Sequence, residues 1–133
     1  MAKIPKEALD VLASPNTLKM MGTVNKAGIP NAAIIATAGA LDEETIVFAE
    51  LAVKKTKENL LDNKKFTLTV LAPTGEGYQI KGTFLEFQER GPVADALNEK
   101  VFAMLKKEIR AAGIGKAEEV YSVSLKNPGA KLA

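Results

Sequence analysis

The chain has 133 residues, of which 47% are hydrophobic and 26% are charged, a composition typical of a globular domain. Eighteen basic and sixteen acidic residues give a formal net charge of +2, which is too small to indicate binding to nucleic acid or to an anionic membrane. The sequence has no cysteine and no histidine, which excludes disulfides, thiolate or imidazole metal sites and histidine-based acid–base catalysis.

The sequence has no pattern that indicates export or insertion into a membrane. The segment MAKIPKEALD lacks the apolar core of a signal peptide. The longest uncharged run, residues 27–41, contains glycine and proline and is too short to cross a bilayer. We therefore expect one cytoplasmic domain, residues 1–133, with no membrane partner.

The first predicted elements are a helix and two strands. Pro5 suits the first turn of a helix over PKEALDVLAS, and SPN ends that helix. Two strands follow, joined by a turn at residues 26–28. The second strand, residues 31–38, is apolar or small on both faces, so it needs cover on both sides, and in so short a chain another subunit can supply one cover.

A third strand, TIVFAE, leads into a short lysine-rich helix over KKTKENLLDN, in which Leu60 and Leu61 are predicted to face inward. The fourth strand, FTLTVLA, alternates apolar residues with threonines, as a half-buried strand does. The fifth strand, YQIKGTFLEFQER, changes its apolar face near Gly82, which indicates a bulge or a sharp bend.

A long helix over residues 92–112 is the strongest helical pattern, with Gly113 as its predicted cap and with Phe102 and Met104 interpreted as core residues. Its apolar stripe consists of Val93, Leu97, Val101, Leu105 and Ile109. A sixth strand, EEVYSVSL, follows. Six strands joined mostly by short turns predict a mainly β protein with α-helices: a small six-stranded antiparallel β-barrel with the long helix packed outside.

Three lysines, Lys54, Lys55 and Lys57, crowd the first turn of the short helix. A helix amino terminus carries partial positive charge and unpaired N–H groups, so cations are locally unfavourable there. The same features bind phosphate, and Thr56 adds a hydroxyl that could cap the helix or donate to a phosphate oxygen. From the residues alone two interpretations stay open: a phosphate site, and a solvated cluster paired with nearby carboxylates.

Four segments, in this order and spacing, resemble the FMN-binding split barrels, a superfamily that includes pyridoxamine 5'-phosphate oxidase and small FMN-binding proteins. They are MGTVNKAGIPNAAII, DEETIVFAE, KKTKENLLDNKKFTLTV and YQIKGTFLEF. The resemblance implies a split β-barrel with flanking helices, assembled as a homodimer with FMN at each subunit boundary.

The resemblance also implies which residues bind the cofactor. Lys55 and Thr56 would hold the FMN phosphate with help from Lys54 or Lys57, and Asn59 would brace the loop. The flavin ring would lie against the backbone of two strand ends. The implied cofactor-binding residues are Ile34, Ile35, Ala36, Thr37, Ala49, Glu50, Leu51, Lys54, Lys55 and Thr56.

The carboxyl-terminal segment VYSVSLKNPGAKLA lacks the histidine and the arginine motif with which the oxidase holds pyridoxamine phosphate, so we do not expect that reaction. No residue qualifies as a necessary acid or base, and no catalytic residue is assigned. We expect a redox FMN flavoprotein, either a flavin oxidoreductase or an electron carrier, with a small-molecule or protein redox partner.

Two alternatives remain. One is a non-catalytic barrel that binds a nucleotide or single-stranded nucleic acid, which the small number of aromatic residues, five phenylalanines and two tyrosines, disfavours. The other keeps the fold and uses a deazaflavin cofactor, whose phosphate could bind to the same lysines.

Overall fold

The computed structural model describes residues 2–51 and 54–133, and every strand pair within them is antiparallel. The helices are α1 (Lys6–Ala13), α2 (Lys54–Asn63) and α3 (Pro92–Leu105). The strands are β1 (Leu18–Val24), β2 (Pro30–Ile34), β3 (Gly39–Asp42), β4 (Thr45–Glu50), β5 (Lys65–Leu71), β6 (Gly77–Gln88) and β7 (Ala111–Ser122).

The strands form one seven-stranded sheet in the order β2-β1-β5-β6-β7-β4-β3. The mainly β, antiparallel prediction is confirmed, but the count of six strands is wrong. The missed strand, β3, is short and largely exposed, so it has no apolar alternation to reveal it. Within the described residues β2 and β3 are the two sheet edges, and the sheet does not close into the predicted barrel.

The main core lies on the inward faces of the strands. Phe66, Leu68 and Val70 of β5 are buried and alternate with half-buried threonines, as predicted for the fourth strand. Helix α1 adds buried Ala8 and Leu12 to the same core. These residues form the larger of two apolar clusters, and the smaller one lies between α3 and strands β4 and β7.

Gly82 lies at the predicted bulge in β6. The register between β6 and β7 shifts between Lys81 and Gly82. A Cβ atom at Gly82 would collide with the Lys116 carbonyl oxygen and the Phe66 ring. The close approach of these two strands therefore requires glycine, and the predicted bulge is confirmed.

The long helix is shorter than predicted, because α3 ends at Leu105 and residues 111–122 form β7. The residue that ends the helix in a left-handed conformation is Lys106 (φ 57°), not Gly113. Gly113 lies in β7 beneath the Phe48 ring, where a Cβ would collide with that ring. Phe102 and Met104 are exposed by 47% and 58%, so their interpretation as core residues is wrong.

Helix α2 buries one leucine of its predicted pair. Leu60 is fully buried in the main core, whereas Leu61 is 53% exposed. Among the described helices, none is both long and apolar enough to span a membrane.

Candidate functional site

Helix α2 is fixed to the first hairpin by two side-chain hydrogen bonds. The buried Asn59 Nδ2 donates to Thr23 Oγ1 of β1 at 3.0 Å. Asn31 Nδ2 of β2 donates to Thr56 Oγ1 at 3.4 Å. Asn59 therefore braces the helix on the sheet, and the amino-terminal half of α2 lies beside the start of β2.

The three lysines of α2 have different environments. Lys54 and Lys55 are exposed, and Lys55 Nζ lies 3.5 Å from Glu58 Oε2 in a pair whose two side chains are both more than half exposed. Lys57 instead forms an ion pair with Glu50 at the end of β4. Two cations thus remain at the solvent-facing start of the helix, and the third is bound to a buried carboxylate.

The predicted flavin-binding segments, residues 34–37 and 49–51, are neighbours in the structure. Thr37 Oγ1 accepts a hydrogen bond from the backbone N–H of Ala49 at 2.9 Å. Ile34 and Ala36 are exposed, whereas Ile35 is buried. The contact between Thr37 and Ala49, together with the Lys57–Glu50 pair, brings both segments and α2 to one junction.

Two predicted site residues present little surface at this junction. Thr56 is 1% exposed, and its hydroxyl accepts the hydrogen bond from Asn31, so the side chain does not face solvent. Glu50 is 3% exposed. Leu51 is half-buried and packs against the apolar cluster that contains Ala49 and α3. Lys54 and Lys55 are the site residues with free access to a charged ligand.

Lys19 of β1 is a residue of this region that the sequence reasoning missed. Its backbone carbonyl accepts from Ile35 N at 3.0 Å, and its Nζ donates to the Ala38 carbonyl at 2.7 Å. Burial lowers the pKa of Lys19, and the positive charge of Lys100 lowers it further. Lys19 therefore holds segment 35–38 at two points, a role that no local pattern signals because the contacts span 16 and 19 residues.

The surface of the described residues has two depressions, and only the smaller one includes a residue of the junction. One, of about 740 Å³, lies on the outer face of the sheet and is lined in part by Gly22, Asn31, Thr67 and Lys81. The other, of about 310 Å³, lies between α3 and the β3–β4 hairpin, and Thr37 forms part of its wall. The first depression is floored by Gly22, where a Cβ would lie 2.6 Å from Thr67 Oγ1.

Comparison with known proteins assigns the chain to a family. The profile of the family described as pyridoxamine 5'-phosphate oxidase matches residues 4–123. An uncharacterized protein of Methanocaldococcus jannaschii is 30% identical over 121 residues, which are 88% of this chain and 80% of that protein.

Solved structures share the fold. HupZ from Group A Streptococcus superposes with a TM-score of 0.83 at 26% identity, covering 98% of this chain and 99% of that chain. An FMN-binding protein from Syntrophomonas wolfei gives a TM-score of 0.77 at 18% identity, covering 90% and 84%. An F420 reductase gives 0.70 at 15% identity, covering 88% and 98%. The resemblance drawn from the sequence is confirmed: the chain belongs to the pyridoxamine 5'-phosphate oxidase family.

Proposed function

We propose that the protein is an FMN-binding flavoprotein with a redox role and that it works as a homodimer. The observation that carries the proposal is the junction of segments 34–37 and 49–51 with helix α2, whose first turn exposes Lys54 and Lys55. FMN needs a cationic site for its phosphate and a flat, mostly apolar surface for its ring. The family membership and the FMN-binding protein that shares the fold support the same cofactor.

The phosphate would bind at Lys54 and Lys55. Both side chains are exposed at the first turn of α2, where a dianion replaces the repulsion between the cations and the helix dipole with charge-assisted hydrogen bonds. Thr56, whose side chain is buried, would contribute through its backbone N–H. The donor set therefore fits a phosphate.

The flavin ring would lie against the backbone of the two joined strand ends. Ile34 and Ala36 expose small or apolar side chains there, and Thr37 keeps the segments at a fixed separation through Ala49. When bound, FMN supplies the capacity to accept and release electrons, and the chain's own residues bind and orient it. Ala49, Glu50 and Leu51 would act mainly through backbone atoms.

The second subunit is proposed because the outer face of the first hairpin is apolar. Ile29 is 62% exposed, Ile34 64% and Leu18 45%. An exposed apolar edge strand favours association, and a two-fold axis would place the same patch of a second copy against it.

The absorbance spectrum of the purified protein, followed by mass spectrometry of the released ligand, tests the cofactor. We expect a flavin spectrum and the mass of FMN. The F420 reductase that shares the fold makes a deazaflavin the second candidate, and it has a different mass and spectrum. A protein that is colourless and binds neither added FMN nor riboflavin would contradict the proposal.

A further inference from the structure

Glu50 is the one charged side chain among the buried residues of the described chain. Its Oε1 pairs with Lys57 Nζ, and its Oε2 has no hydrogen-bond partner among the described residues. The Lys57 side chain is 44% exposed, and its Nζ lies 5.4 Å from the centroid of the Phe87 ring. Lys57 is thus shared between a buried carboxylate and an aromatic face.

Strand β4 explains how Glu50 reaches Lys57. Ala49 packs with α3 in the smaller apolar cluster, and because side chains alternate along a strand, Glu50 points to the opposite face, as Phe48 does. The Phe48 ring meets Phe87 edge-on at 6.0 Å. Lys57 of α2 therefore packs on a surface formed by Glu50, Phe48 and Phe87.

We propose that Glu50 and Lys57 are positioning residues: their ion pair fixes the start of α2 against the end of β4, and Lys57 is not a phosphate ligand. The inference rests on the proposed flavin site and deepens it. It divides the three lysines into one that orients the helix and two, Lys54 and Lys55, that face the ligand. Two cations, of which Lys55 has only an exposed partner in Glu58, match the charge of a phosphate dianion.

Electrostatics argues against Lys57 as a third phosphate ligand. A phosphate that drew Lys57 away from Glu50 would leave a buried carboxylate without its counter-charge. Removing one partner of a buried pair is strongly destabilising, whereas replacing both by neutral groups of similar size often is not. The pair is therefore kept intact when ligand binds.

The experiment compares wild type, Lys57→Met, Glu50→Gln and the double variant, with Lys55→Met as the matched control. Thermal unfolding of the flavin-free proteins should show Lys57→Met lowering Tm by on the order of 10 °C, because it leaves the buried Glu50 carboxylate without its counter-charge. Glu50→Gln should lower Tm much less, because the half-exposed Lys57 ammonium is then solvated. The double variant should recover most of that loss. A non-additive cycle of this kind reports direct coupling between the two side chains.

Titration with FMN and with riboflavin, which lacks the phosphate, separates positioning from ligation. Lys57→Met and the double variant should weaken both flavins by the same factor, about tenfold, because the two halves of the site are no longer held together. Lys55→Met should weaken FMN alone. The double variant would therefore regain stability without regaining affinity, which a merely structural pair would not do.

Three results would overturn the inference. A loss confined to FMN in Lys57→Met would make Lys57 a phosphate ligand. Full flavin affinity in the double variant would show that the pair only neutralises the buried carboxylate and does not position α2 for the flavin. Additive losses of Tm would show that the two residues are not coupled. If wild type binds neither flavin, the proposed function fails, and the Tm cycle, which uses no ligand, still decides whether the pair joins α2 to β4.

Discussion

Lys55 is the residue at which the phosphate site can be tested most directly. Its present partner, Glu58, is exposed, and pairs of this kind contribute little to stability. Lys55→Ala should therefore leave the unfolding free energy of the flavin-free protein nearly unchanged. It should weaken FMN by roughly one to two orders of magnitude, because a charge-assisted hydrogen bond is worth about 1.5–3 kcal/mol. Isothermal titration calorimetry would measure the FMN dissociation constants of both proteins.

The control for Lys55→Ala is Lys126→Ala, which removes an exposed lysine after β7. It should bind FMN as wild type does. Riboflavin affinity should be unchanged in both variants, since riboflavin has no phosphate. Equal losses for FMN and riboflavin in Lys55→Ala would show that the lysines are a solvated cluster.

Tyr78 offers a test of the core that needs no ligand. Burial and a hydrogen bond donated to Glu76 raise the pKa of Tyr78 to about 12, from a usual 10.0. Between those values the folded protein keeps a proton that the unfolded chain releases. The contribution of Tyr78 to stability is therefore complete below pH 10 and is lost as the pH rises through 12.

Tyrosinate absorbance of the folded protein should show a component with a midpoint near pH 12 that is absent from Tyr78→Phe. Tyr121, whose hydrogen bond to Glu119 and partial burial also raise its pKa, remains in that variant as an internal reference. If both tyrosine side chains of the folded protein ionised near pH 10, Tyr78 would be open to solvent.

Among the elements, those with strong local periodicity were predictable. Strand β5 alternates because one of its faces is buried, and Gly82 marks the bulge because β6 changes its apolar face there. Strands β3 and the first half of β7 were not predictable, because they consist mainly of small residues. Gly113 and Gly115 are required by the Phe48 and Phe66 rings, which come from distant parts of the chain.

The candidate site divides in the same way. The lysine cluster and its place after a strand are visible in the sequence, and so is Asn59. The Thr56 hydroxyl is bound by Asn31, 25 residues away, and the role of Lys57 depends on Glu50, the last residue of β4. A sequence pattern shows which charges are near one another but not which of them are already neutralised.

Helix α2 should depend on Asn59 for its attachment to the sheet. Asn59→Ala leaves the buried Thr23 hydroxyl without its donor, which typically costs about 1–3 kcal/mol of unfolding free energy. Urea denaturation would measure the loss. Asp62 lies on the same helix, and Asp62→Ala removes only its surface pair with Lys26 of the β1–β2 connection, so the unfolding free energy should change by less than about 0.5 kcal/mol. Equal effects would show that the Asn59 contact does not anchor the helix.

At the scale of the whole molecule, the outer face of β2, β1 and β5 is the surface to which we assign the proposed dimer contact. Register places Met20 beside Ile34 and Leu18 beside Leu71, so these apolar side chains form one continuous surface. β2 is also a sheet edge. A 14.2 kDa protein that left this surface in water would be prone to association, and a closed two-fold contact removes the hazard.

Ile34→Glu tests this arrangement. Ile34 is 64% exposed in the single chain, and burial of such a side chain contributes about 1.5–3 kcal/mol. A two-fold axis buries this side chain once in each subunit, so the substitution should remove at least about 3 kcal/mol of association free energy. The dimer dissociation constant should then rise by roughly 100-fold or more. Leu61→Glu, at a 53% exposed position on α2, is the control and should remain dimeric. Light scattering at micromolar concentration would distinguish the species. A wild-type mass of 14.2 kDa would contradict the dimer outright, and an unaltered dimer in Ile34→Glu would move the interface to another face.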